Sequence, residues 1–323
     1  MLSQEQLQGD RNTNRDPRET SLGGDRMRSP ELGNREGERL RPTQPRVSPT
    51  SRFLLVLILL AALIGGAIYT MGQYVATRSS VPSHTFTLNG HGKLIVTDSS
   101  GQIHIHSGSG NTVTVQATRF AYGLGDPTDP MQLDFSQDGN TLHVMGKGWS
   151  FMGNQGYDLD ITAPDSIDLQ VENGAGEIEV ANINGEMDLH TGSGGITASH
   201  LAGKMKLQTG NGGINIHDLS GQIDLQSGNG DIQASQMKLQ DEGEIKTGNG
   251  GIRLDGILDP NAHYRLETGS GGVEVTLPSN ASFQLHTDTG SGSVHNDFGT
   301  SNASTNSSLD IHSGSGDINI HKG

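Results

Sequence analysis

The residues best suited to chemistry are carboxylates and histidines set two apart. Asp158 with Asp160, and Glu177 with Glu179, fall on one face if their segments are extended. Two carboxylates so placed could serve as acid and base in hydrolysis or lyase cleavage of a polysaccharide. His104 and His106 also share a face and could seat a metal without any thiolate. Asp231 and Asp317, in the copies SGNGDI and SGSGDI, resemble the aspartates of glycine–aspartate repeats that bind calcium. Each has a plainer reading. Alternating acids and scattered histidines are what any solvated strand face shows, most copies of the turn carry Gly where these two carry Asp, and the period is wrong for a calcium roll. No HExxH, nucleophile elbow or phosphate loop occurs, because the glycine turns lead into strands and not helices. The sequence therefore assigns no catalytic, cofactor-binding or metal residue, and a non-enzyme without cofactors is expected.

The elements that carry these side chains follow from a repeat. A short glycine turn recurs eight times, beginning at Asn173, Thr191, Thr209, Ser227, Thr247, Thr268, Thr289 and Ser313, first at intervals of 18 residues and then of 20, 21, 21 and 24. Counting from each start, positions one and three are always Gly, as backbone conformations closed to other residues require. Position five is always Ile or Val, and position seven is mostly apolar. Apolar alternation also precedes the turn, as in Met187 and Leu189, Met205 and Leu207, and Ile223 and Leu225. Gly185, Gly203 and Gly221 mark a second corner. Each rung therefore reads as turn, strand, corner, strand, and a period near 20 predicts a solenoid. The fold class is all-β: a parallel β-solenoid with two short strands per rung of about 18–21 residues. Lys206 falls between Asp188 and Asp224, and Arg253 beside Glu274, so neighbouring rungs carry complementary charge.

With 31% hydrophobic residues, 47 glycines and a net charge of −15, composition alone would suggest disorder, and the periodicity overrules it. The absence of cysteine excludes disulfides and zinc–thiolate sites. Residues 53–71, from Phe53 to Met71 (FLLVLILLAALIGGAIYTM), hold no charge. As a helix they would span about 28 Å, close to the ~30 Å of a bilayer core. Residues 1–52 carry ten Arg and eight acids, a net +2, whereas the residues after 71 carry eleven basic and 28 acidic residues, a net −17. The positive-inside rule puts the N-terminus in the cytoplasm and the rest outside. The expected organisation is a disordered cytoplasmic tail over 1–52, a single-pass plasma-membrane helix over 53–75, a linker over 76–83 and an extracytoplasmic solenoid over 84–323. An exterior this acidic argues against nucleic acid as partner.

Within the solenoid, residues 84–161 alternate less regularly, with a further GSG turn at Gly108 to Gly110, and 162–323 hold the regular rungs. The pattern breaks between Arg119 and Tyr157, where Phe120, Tyr122, Trp149, Phe151 and Tyr157 gather. These aromatics read either as a cap over the open end or as a ligand site for saccharide or lipid. No such cap follows Ile318 and Ile320, so an uncovered last rung could pair with a second copy.

The stretch YDLDITAPDSIDLQVENGAGEIEVANINGEMDLHTGSGGI, with its Ala163-Pro164-Asp165 turn and the repeating T-G-S-G-[DG]-I turn at residues 191–196, resembles the bacterial "putative adhesin" β-strand-repeat domain family of unknown function, similar to adhesin-like head domains of the GIN type. The resemblance covers roughly residues 84–323. It implies a membrane-tethered, surface-exposed solenoid without known catalytic residues. Some relatives sense envelope stress or antimicrobial peptides, and some carry a zinc-binding segment that this cysteine-free tail cannot form. The expected function is non-catalytic adhesion, binding or envelope sensing toward an envelope, glycan, lipid or protein ligand. The alternatives are a self-associating scaffold of the bactofilin type and a polysaccharide-active enzyme.

Overall fold

The computed structural model describes residues 49–72, 77–123, 132–147, 153–299 and 306–323. Most of the expected tail lies outside them. The chain forms two units, Met1–Leu59 and Leu60–Gly323. Helix α1 covers Pro49–Gly72. Among the described residues no helix is long and apolar enough to cross a membrane. Ten large apolar side chains of α1, including Phe53, Leu63 and Ile64, are exposed by half or more.

Everything after α1 that is described is strand and turn. In chain order the strands are β1 (Thr77–Ser80), β2 (His84–Thr87), β3 (Gly92–Asp98), β4 (Ile103–Gly108), β5 (Thr112–Gly123), β6 (Gln132–Asp138), β7 (Thr141–Lys147), β8 (Gly153–Pro164), β9 (Ile167–Ala175), β10 (Ile178–Ala181) and β11 (Met187–Ser193). They continue as β12 (Ile196–Asn211), β13 (Ile214–Asn229), β14 (Ile232–Leu239), β15 (Glu242–Asn249), β16 (Ile252–Leu258), β17 (His263–Ser270), β18 (Val273–Leu277), β19 (Gln284–Thr289), β20 (Val294–Asn296), β21 (Ser308–Ser313) and β22 (Ile318–Lys322). Residues 76–83, expected as a linker, thus contain β1, which pairs antiparallel with β5.

The regular rungs stack in parallel and in register. Ile178 pairs with Ile196, Ile196 with Ile214, Ile214 with Ile232 and Ile232 with Ile252. The strands before the turn do the same through Met187, Met205 and Ile223. These inward columns are fully buried. A third inward column at the far corner, Ile183, Leu201, Leu219 and Met237, was not foreseen. Four residues at an 18-residue spacing turn the chain into it, Asn182, His200, Asp218 and Gln236, all at φ of 53–58°. Sequence reading missed this corner because polar residues, not Gly, adopt the left-handed conformation there.

The two ends differ most from expectation. At the C-terminal end β21 pairs with β17 on one side and β19 on the other, and β22 lies between β18 and β20. The last rung in sequence is therefore enclosed, and the expected bare C-terminal rung is corrected. The outer rung is β19 and β20, whose inward columns turn partly polar: Thr287 stands beside Ile311 and Asn296 beside Ile320. Phe298 packs on Phe283, with ring centroids 5.3 Å apart. The N-terminal end is built alike. β3 and β4 form a full rung between β9 and β10 on one side and β7 and β8 on the other. Its turn is Asp98 to Gly101, not the GSG at Gly108 to Gly110, which joins β4 to the antiparallel β5. The cap over this end is β6 on β7, and β5 on β8 with β2 and β1 beyond it.

Candidate functional site

The turns are held by a ladder running inside the stack. The start residue of each turn points inward and donates to the carbonyl of the position-three glycine in the adjoining rung: Asn173 to Gly101, Thr191 to Gly176, Thr209 to Gly194, Ser227 to Gly212, Thr247 to Gly230, Thr268 to Gly250, Ser313 to Gly271 and Thr289 to Gly316, at 2.8–3.0 Å. The eight turn starts read from the sequence thus have a structural task. The two glycines behind them also have one. A Cβ on Gly194 would collide with the carbonyl of Gly176, and every third-position Gly meets the next rung in this way.

Position four behaves differently. Across seven neighbouring rungs it reads Glu177, Gly195, Gly213, Asp231, Gly251, Gly272, Asp317, an acid on every third rung with two glycines between. These four glycines have no positive φ, and an added Cβ would come no closer than 3.2 Å to any neighbour. Each stands one residue before a strand; at Gly195 and Gly251 an added Cβ would make ordinary contact at 3.4 Å, and at Gly213 and Gly272 a carbonyl oxygen 3.2 and 3.3 Å away would have to give by a few tenths of an ångström. Their effect is to leave a trough. Between Asp231 and Asp317, three strand spacings or about 14 Å apart, it forms a groove of about 460 Å³ floored by Gly251 and Gly272 and flanked by Gln233, Arg253, Glu274 and Asn319. That volume falls within the ~300–1,000 Å³ typical of small-ligand sites.

The walls are fixed by hydrogen bonds. Asp231 accepts from the Gly251 amide at 2.8 Å. Asp317 accepts from the Ser293 amide and hydroxyl at 2.8 and 2.9 Å, which hold its pKa below the usual value. Arg253 donates twice to Glu274, at 2.6 and 3.1 Å. The calcium reading of Asp231 and Asp317 fails on distance, since the two cannot share an ion. Among the described residues no group of three His, Asp or Glu is arranged to hold a metal.

The other sequence candidates stay apart from this groove. His104 faces Glu179 at 3.8 Å, and His106 faces Asp160 at 3.5 Å and the Thr162 hydroxyl at 3.0 Å. Asp158 accepts from the Gln102 amide and pairs with Arg78 at 3.4 Å, and Glu177 accepts from Thr197. The four carboxylates are therefore engaged one by one in surface contacts between rungs. Of the aromatics, Phe120 and Tyr157 are buried in the N-terminal end, while the side chains of Tyr122, Trp149 and Phe151 lie outside the described residues. Lys206 does stand in register between Asp188 and Asp224. The groove escaped sequence reading because the position-four acids Glu177, Asp231 and Asp317 are evenly spaced only once β22 is known to precede β20 in the stack.

The family model described as Toastrack DUF4097 matches residues 154–321. Two crystal structures are similar: a "putative cell adhesion protein" from Clostridium sporogenes, 14% identical over 76% of this chain and 100% of that one, with a TM-score of 0.29; and a "putative adhesin" from Bacteroides fragilis, 14% identical over 75% of this chain and 97% of that one, with a TM-score of 0.45. No curated protein matches the chain.

Proposed function

The chain belongs to the Toastrack DUF4097 family, and from that premise we propose that its solenoid is a non-catalytic binding module, held at a membrane surface by residues 53–71, whose groove between Asp231 and Asp317 takes a polyhydroxylated ligand such as a short stretch of envelope polysaccharide. The observation that carries this reading is the side-chain-free floor at Gly251 and Gly272, where neither a positive φ nor a direct clash demands glycine. The rim offers acceptors in Asp231, Asp317 and Glu274 and donors in Gln233, Arg253 and Asn319, the mixture that hydroxyl groups, each donor and acceptor at once, can satisfy. The hydrophobic residues that line the groove, Ile232, Ile252 and Val273, are buried beneath it.

Membrane tethering rests on the uncharged run and on the exposed apolar side chains of α1, which water would not tolerate as a continuous surface. The charge asymmetry orients it with the solenoid outside the plasma membrane. The self-associating alternative loses the bare final rung that motivated it. For the test, the full chain in detergent micelles is titrated with cellohexaose, chitohexaose and hexalysine, alongside a variant carrying Gly251→Leu and Gly272→Leu. Binding of a hexasaccharide by the wild type and its loss in an equally stable variant support the proposal. Equal binding by both places the site elsewhere, and binding of hexalysine alone overturns the ligand class.

A further inference from the structure

The internal ladder has one member of the wrong chemistry. In the parallel register Asp98 stands beside Asn173, so it occupies in the rung of β3 and β4 the place that Thr, Ser or Asn fills elsewhere. Each of the other members donates a hydrogen bond into the adjoining rung, and an ionised carboxylate has no proton to donate. The acceptor that the pattern assigns to Asp98 is Tyr157, whose carbonyl lies against Gly101 as that of Gly176 lies against Gly194. Asp98 is 3% exposed, and neither of its carboxyl oxygens has a hydrogen-bond partner. Asn173 Oδ1, beside it in the ladder, and Gln155 Nε2 are likewise buried and unpartnered. Buried polar groups are nearly always satisfied, and a proton on Asp98 would supply the donor that this end of the ladder lacks.

We propose that Asp98 is a proton-operated member of the ladder: neutral, it donates into the rung of β7 and β8 as its Thr counterparts do, and on ionising it loosens that outer rung and the N-terminal cap it supports. The charged surroundings agree. Burial disfavours the ionised form most strongly, the amides of Ser99, Tyr157 and Ser100 oppose this without closing a well-formed hydrogen bond, and Asp158 of β8 adds a weaker repulsion; the balance raises the pKa of Asp98 to about 7. Tyr157, which faces Asp98, is itself pushed up by burial, with Arg119 of β5 pulling it down and Asp98 and Asp134 of β6 adding to the rise. Lys147 of β7 is engaged by Asp134 at 2.8 Å.

The sign follows from linkage. A carboxyl whose folded pKa lies above its unfolded value of 3.8 stabilises the fold fully only below 3.8, and that contribution is lost progressively as the pH rises to about 7. Amide hydrogen exchange of the full chain, corrected for intrinsic rates, should show protection in β3, β4, β7 and β8 falling roughly 100-fold between pH 5 and pH 8 relative to the Asp98→Thr variant. Asp98→Asn should behave as Asp98→Thr does. Wild-type and Asp98→Thr curves that run parallel overturn the proposal. So does a 13C titration of the Asp98 carboxyl with a midpoint near 4, a measurement on the wild type that does not depend on either variant folding.

Discussion

Gly194 and Gly195 are adjacent, yet replacing them with alanine should have opposite consequences. Gly194 has φ +146° and an added Cβ would strike the carbonyl of Gly176. Relieving that clash means lifting the rung of Gly194 from that of Gly176, which strains the three hydrogen bonds between them: Gly176 N to Ser193 O at 2.7 Å, Ile178 N to Gly195 O at 3.1 Å, and Thr191 Oγ1 to Gly176 O at 3.0 Å. At about 1 kcal/mol net for each bond and a further 1–3 kcal/mol for a backbone region essentially confined to glycine, Gly194→Ala should cost about 4–6 kcal/mol. Against a total stability of about 5–15 kcal/mol this is severe. At Gly195 the nearest atom to an added Cβ is the Gly213 carbonyl oxygen at 3.4 Å, with no positive φ. Restricting the unfolded chain should then make Gly195→Ala neutral or stabilising by up to about 1 kcal/mol. Urea denaturation of the full chain reads both: the midpoint falls markedly for Gly194→Ala and holds or rises for Gly195→Ala, with the slope unchanged. Equal losses at the two positions would refute the division of the glycines into those the stack demands and those it does not.

Other consequences are open to similar measurement. Thr209→Val keeps the shape but removes the ladder donor to Gly194; urea melts should show a loss of about 1–2 kcal/mol. Gln236 sits at φ 56° without being glycine, so Gln236→Gly should be neutral or stabilising by about 1 kcal/mol in the same assay. Tyr264 is buried and donates to the Gln240 carbonyl at 2.9 Å; burial raises its pKa to about 12, so its ultraviolet absorbance should not titrate at pH 10, and Tyr264→Phe should remove a late-titrating phenol. Deleting residues 53–71 should release the protein from the membrane fraction of cells into the soluble one, and retention there would remove the proposed tether.

The regular part of the fold was legible because its constraints repeat at fixed offsets. Position five is a buried column in every rung but the outer one, where Val294 is exposed, and the corner glycines Gly185, Gly203 and Gly221 each face the carbonyl below. What stayed hidden had no residue type to announce it. The left-handed corner at Asn182, His200, Asp218 and Gln236 uses four different side chains, so only its period could have been seen. The turn at Asp98 has Ser99 where the other copies have Gly, and it was passed over in favour of Gly108 to Gly110, a true GSG that turns no rung. The candidate site was less legible still, because its floor consists of residues that are notable for having no structural reason.

Both ends of the stack exchange the order of the chain, and this connects the fold to the site. At each end the rung nearest the terminus of the repeat is enclosed, β3 with β4 at one end and β21 with β22 at the other, and a rung from further inside the sequence is placed outermost. A strand left at an edge would have unpaired amides on one side. Enclosing it pairs both sides and gives the edge to a rung that can carry Thr287 and Asn296 in its inward columns, or β5 and β6 over its open face. The exchange also moves Asp317 from the end of the sequence to the rung beside Gly272. Without it, Ser293 would adjoin that glycine, and the groove would have a hydroxyl at one end in place of the carboxylate that now mirrors Asp231.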